Sequence, residues 1–85
     1  MASGTPAMTA LDHKVTNRGF RRVDFTDRYG AACSLQESSL ATEAAIWLGV
    51  NDPMASRMHL TQEQVAELLP LLQHFAETGY LPEAP

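Results

Sequence analysis

The sequence predicts an α+β fold: a four-stranded antiparallel sheet, in the order β-β-β-β-α, with one C-terminal helix packed on one face. Three observations carry this expectation. Residues 21–27 and 32–36 alternate apolar and polar side chains around a glycine turn, the pattern of a hairpin. Residues 44–50, AAIWLGV, form the most apolar run and hold residues suited to a pleated surface. From Thr61 onward a capping signal opens a leucine-rich stretch at helical spacing, which closes at Gly79.

Length and composition bound the rest. The chain has 85 residues, enough for one domain with a small core. Its single cysteine, Cys33, leaves no internal disulfide and no thiolate-rich zinc site, as in a reducing compartment. No apolar run is long enough to span a bilayer, and the small, polar N-terminus gives no expectation of a signal peptide. The net charge is −4 and unevenly spread. Lys14, Arg18, Arg21 and Arg22 face only Asp12 within residues 1–22, whereas Arg28 and Arg57 face nine acids in residues 23–85. A body this acidic repels a phosphate backbone, so direct nucleic-acid binding is not expected.

Residues 1–18 lack apolar periodicity and read as a flexible N-terminal arm, leaving 19–81 as the α+β domain and 82–85 as a short tail. In the first strand Val23 and Phe25 share one side, with Arg22, Asp24 and Thr26 on the other. Asp27-Arg28-Tyr29-Gly30 makes the turn, Gly30 being free to adopt positive φ. The returning strand places Cys33 and Leu35 together and sends Ser34, Gln36 and Ser38 to the opposite face. The run at 44–50, apolar on both sides, reads as a central strand, closed by Asn51-Asp52-Pro53. Arg57-Met58-His59-Leu60 is the expected fourth strand, with Met58 and Leu60 inward.

Thr61 and Gln64 match a capping box, and Val65, Leu68, Leu69, Leu72, Phe75 and Ala76 form the expected buried stripe. Pro70 removes an amide donor and crowds the Ala66 carbonyl, so a kink or restart is expected there. Gly79 is the expected left-handed C-cap. The helix would then cover Val23, Phe25, Cys33, Leu35, Ile46, Leu48, Met58 and Leu60, leaving the other sheet face open.

Catalytic chemistry finds little support. Cys33 and His59 are the conceivable nucleophile and base, but alternation sends them to opposite faces, and a lone small thiol is most often a core residue. The three histidines lack ligand spacing, so no metal and no cofactor is expected. The specific residues gather on the open face instead: Ser34, Gln36, Trp47, Arg57 and His59, extended by Arg22, Ser38 and Thr26. An indole beside a guanidinium, an imidazole and amide or hydroxyl groups can stack, pair with an anion and hydrogen-bond, as binding surfaces do. The same face would suit a nucleotide, with its base on Trp47 and its phosphate at Arg57.

Three stretches taken together resemble a family of small proteins encoded by bacteriophages and prophages: Phe25 to Gly30 leading into Cys33-Ser34-Leu35-Gln36-Glu37-Ser38-Ser39; Ile46-Trp47-Leu48-Gly49; and Arg57-Met58-His59-Leu60-Thr61 with the helix to Gly79. The resemblance covers Phe25 to Leu81 and carries no established activity. It implies work in the host cytoplasm as a non-catalytic counter-defence protein. That means an anti-CRISPR-like inhibitor that binds a host defence protein, or a sponge that sequesters a signalling nucleotide between two copies. A small structural or assembly protein, acting through oligomerisation, is the reading from a different class.

Overall fold

The computed structural model describes residues 11–52, 54 and 57–84. Strands β1 (Asp12–Val15), β2 (Arg21–Thr26), β3 (Ala32–Glu37) and β4 (Ile46–Val50) are followed by helix α1 (Gln62–Thr78). The strands pair in sequence order as an antiparallel meander, so β1 and β4 are the two edges. The fold class is the one the sequence predicts, but one strand comes from a different segment and another lies at an edge rather than the centre.

The β2–β3 hairpin forms as the alternation requires. Phe25 pairs with Cys33 and Val23 with Leu35, and all four side chains are buried. Gly30 takes φ 82° at the turn, where its amide donates to the Asp27 carbonyl at 3.0 Å. A side chain at that φ would be strained.

The fourth strand of the sheet is β1, drawn from within the expected arm, rather than residues 57–60. Residues 1–10 of that arm lie outside the described residues. Thr16 closes the β1–β2 turn: its amide donates to the Phe20 carbonyl at 2.8 Å, and its hydroxyl accepts the Phe20 amide at 3.0 Å. Gly19, at φ 88°, completes that turn. Arg57 to Leu60 remain irregular because their backbone is used differently. The Arg28 amide donates to the His59 carbonyl at 2.7 Å, and the His59 amide donates to the Asp27 carboxylate at 3.1 Å. One turn contact holds the segment where a ladder was expected, although Met58 and Leu60 do pack against the core.

The run at 44–50 supplies β4, which pairs with β3 alone and is an edge rather than a central strand. The meander explains this, since among the described residues no later strand adds to its outer side. Consequently Trp47 is 68% exposed and Leu48 41% exposed, so Leu48 is only partly covered by the helix layer.

The helix opens on the full capping box. Gln64 donates its amide to Thr61 Oγ1 at 3.1 Å, and Thr61 donates its amide to Gln64 Oε1 at 2.9 Å. Gln64 Nε2 also donates to the Thr26 carbonyl at 2.8 Å, fastening the helix start to the end of β2. The buried stripe differs from the expected one by a rotation of the helix. Leu68 and Leu71 are buried and Leu72 and Phe75 half-buried, whereas Val65, Leu69 and Ala76 are exposed. The positions 68, 71, 72 and 75 are spaced i, i+3, i+4, i+7 and make one face. Pro70 lies in the exposed part of a single helix, which does not restart there.

Gly79 caps the helix in the left-handed region at φ 83°, donating to the Phe75 carbonyl at 2.7 Å. The chain then turns back and buries Leu81 completely. Glu37 holds this return: one carboxylate oxygen accepts the Arg21 amide at 2.8 Å and the other accepts the Leu81 amide at 3.0 Å. The Arg21 guanidinium donates to the Leu81 carbonyl and reaches Glu83 at 3.5 Å. Burying Leu35, Leu68, Leu71 and Leu81 contributes roughly 1.5–3 kcal/mol each, and these residues with Val23, Phe25 and Cys33 form the core between sheet and helix.

Candidate functional site

Strand register decides which residues share the uncovered side of the sheet. Residues directly opposite one another across antiparallel strands project to the same face. One row therefore runs Lys14, Arg22, Gln36, Trp47 across all four strands. The next runs Asp12, Asp24, Ser34, Gly49. Thr26 and Ala32 begin a third, which Asn51 continues as its backbone amide donates to the Ala32 carbonyl at 2.8 Å.

Polar contacts organise this face from the β1 edge inward. Lys14 Nζ lies 2.8 Å from Asp24 and 3.4 Å from Asp12. Arg22 Nε donates to Asp24 at 2.6 Å, and Arg22 Nη1 donates to Gln36 Oε1 at 3.1 Å. Ser34 donates its hydroxyl to Asn51 Oδ1 at 2.8 Å. Hydrogen bonding and charge from Asp24, with Asp12 adding to them, hold the Lys14 ammonium above the usual lysine range. Partial burial pushes the Asp24 carboxyl up, but the hydrogen bonds and charges of Lys14 and Arg22 together outweigh it and hold it below the ordinary value. Two cations and two carboxylates thus neutralise each other at one end. The other end, at β4, is an exposed indole beside an amide and the bare backbone of Gly49.

The expected site residues divide into two groups. Arg22, Ser34, Gln36 and Trp47 do meet on one face, with Thr26 on the same side. Arg57 and His59 do not join them, because the segment that carries them is not a strand of the sheet. They lie at the β2–β3 turn, where the His59 ring stands 4.9 Å from the Tyr29 ring at a tilt of 44°, and Tyr29, Arg57 and Met58 line the same shallow hollow. Ser38 lies just past the end of β3, where its hydroxyl accepts the Leu40 amide at 3.1 Å. There it borders a cleft of about 380 Å³ between that loop and the helix end, lined with Phe20, Phe75 and Tyr80.

Lys14, Asp12 and Asp24 belong to the face although none was singled out from the sequence as a site residue. A signal for Lys14 existed in the turn Thr16-Asn17-Arg18-Gly19, which sits between His13-Lys14-Val15 and the hairpin strand. Cys33 is buried on the helix side, donating to the Ala31 carbonyl at 3.4 Å, and burial followed by the nearby Asp27 charge pushes its thiol up. His59 is exposed at the turn. Among the described residues no three His, Cys, Asp or Glu side chains converge as metal ligands, and no helix is long and apolar enough to cross a membrane.

Fold and face together define a two-layer α+β protein in which, among the described residues, one sheet surface is left uncovered with an exposed indole at its edge. No protein-family model, curated protein or solved structure matches the chain.

Proposed function

We propose that the chain is a non-catalytic binding protein whose open sheet face occupies a surface of a host defence protein in the host cytoplasm. The observation that carries this reading is Trp47, 68% exposed at the end of the in-register row Lys14, Arg22, Gln36. Among the described residues nothing buries this indole, and such residues dominate binding energy where partners bury them. The resemblance to small phage proteins supplies the class of partner. The chain's net charge of −4 suits a positively charged effector channel.

The nucleotide-sponge reading has less behind it. Both cations of the face, Lys14 and Arg22, are already paired with aspartates, and Arg57 lies at the hairpin turn. A phosphate group would have to displace those carboxylates first.

The test is phage plating on hosts that each carry one defence system, with and without the protein expressed. Restored plating in one host, lost with Trp47→Ala but kept with Arg57→Ala, is the expected result. Equal rescue by wild type and a folded Trp47→Ala variant, or no rescue in any host, ends the reading. A panel of cyclic di- and trinucleotides is expected to leave the melting temperature unchanged, because a tight ligand would raise it.

A further inference from the structure

Among the described residues, nothing pairs with the outer edge of β4. Across β3–β4 the Ser38 amide donates to the Ala45 carbonyl and the Asn51 amide to the Ala32 carbonyl, which marks residues 45 and 51 as hydrogen-bonded toward β3. Antiparallel bonding alternates residue by residue. Trp47 and Gly49 therefore also turn their backbone groups toward β3, and Ile46, Leu48 and Val50 turn theirs outward from the sheet edge. An open edge of this kind is normally guarded by charge, proline or brevity. At the opposite edge β1 is guarded, being four residues long with Asp12 and Lys14 in it. Strand β4, Ile-Trp-Leu-Gly-Val, carries no charge and no proline.

We propose that β4 pairs antiparallel with β4 of a second copy of this chain, about a twofold axis at Leu48. In that register Ile46 meets Val50 of the other copy and Leu48 meets its own counterpart. These are the three residues whose donors and acceptors point outward, so each pair exchanges two hydrogen bonds. The side chains complement one another as well. Leu48, 41% exposed in the single chain, gains an apolar neighbour on the helix side. On the open face Trp47 falls opposite Gly49 of the other copy, the largest residue against the smallest. Space exists there, since a Cβ built on Gly49 meets nothing within 4 Å. Centring the axis on Trp47 instead would set two indoles directly against each other. The pairing joins two four-stranded sheets into one of eight strands, and Trp47 of one copy then borders Ser34 and Gly49 of the other. It is a β-augmentation whose partner is the chain itself.

Sedimentation equilibrium of the full chain tests this, with a mass twice the 9.3 kDa of one chain as the expected result. Leu48→Pro removes an outward amide without touching the β3–β4 ladder, and it is expected to raise the dimer dissociation constant on the order of tenfold or more. Register is read by disulfide formation. Leu48→Cys would stand about 5.5 Å from its counterpart and cross-link on mild oxidation, whereas Ile46→Cys would lie roughly 13 Å from its own and would not. A wild-type chain that stays monomeric at high concentration overturns the proposal. So does a dimer in which Ile46→Cys links as readily as Leu48→Cys, including the case where Leu48→Pro fails to fold. These readouts are masses and cross-links, so they stand or fall separately from the defence-protein reading.

Discussion

The carboxylate of Asp27 accepts the backbone amide of His59 at 3.1 Å, joining the hairpin turn to a segment 32 residues further along. Its other oxygen accepts the amides of Tyr29 at 2.9 Å and Ala31 at 3.0 Å, and only 6% of the residue is exposed. One side chain thus shapes the β2–β3 turn and anchors the approach to the helix. The His59 amide is the foremost cause holding this carboxyl below the ordinary value, with the Ala31 and Tyr29 amides assisting against the cost of burial.

Asp27→Asn exchanges one acceptor oxygen for a donor facing amide donors, and its melting temperature is expected to fall by on the order of 10 °C at neutral pH. The sign of the pH dependence follows from the lowered values of Asp27 and Asp24. Their contribution is full above the unfolded value near roughly pH 4 and is lost as pH falls through the folded values. Thermal melts of wild type and Asp27→Asn between neutral and strongly acidic pH check this. The wild type should lose stability steeply in acid, and the variant less so.

Trp47 and Leu35 lie on opposite faces of the sheet and should respond very differently to truncation. Trp47→Ala is expected to change folding stability by less than about 0.5 kcal/mol, as for other exposed positions. Leu35→Ala, at a site fully shielded from solvent, should cost about 2–5 kcal/mol. Urea unfolding of both variants measures the contrast. A large loss in Trp47→Ala would assign the indole a packing role.

The return of the chain after α1 depends on Glu37 and Leu81. Leu81→Ala is expected to lose about 2–5 kcal/mol, despite lying close to the end of the described chain. Glu37→Ala leaves the Arg21 and Leu81 amides without their acceptor and is expected to cost about 1 kcal/mol. Hydrogen exchange at the Leu81 amide should accelerate in Glu37→Ala.

Pro70 occupies an exposed position within α1 and interrupts its hydrogen-bond ladder at the Ala66 carbonyl. Pro70→Ala is expected to stabilise the protein by on the order of 1–3 kcal/mol, because it restores that bond without disturbing the core. Circular dichroism and urea melts would register the gain.

The local elements were legible in the residues themselves. Alternation marked the β2–β3 hairpin, Thr61 and Gln64 marked the helix start, and Gly79 its end, because each of these is settled by contacts within a few residues. The side of the sheet that Trp47, Gln36, Ser34 and Arg22 occupy was legible for the same reason: a strand's period of two fixes its faces before it has partners. What the residues alone did not determine was neighbourhood. Strand order depends on hydrogen bonds between distant segments, and alternation does not encode which segment supplies them. Asp12–Val15, weakly patterned, joins the sheet because β2 has a free edge and Asp24 attracts Lys14. Arg57–Leu60, better patterned, does not join because Asp27 and Arg28 engage His59 at a turn. That long-range competition for backbone partners removed Arg57 and His59 from the open face and left β4 as an edge.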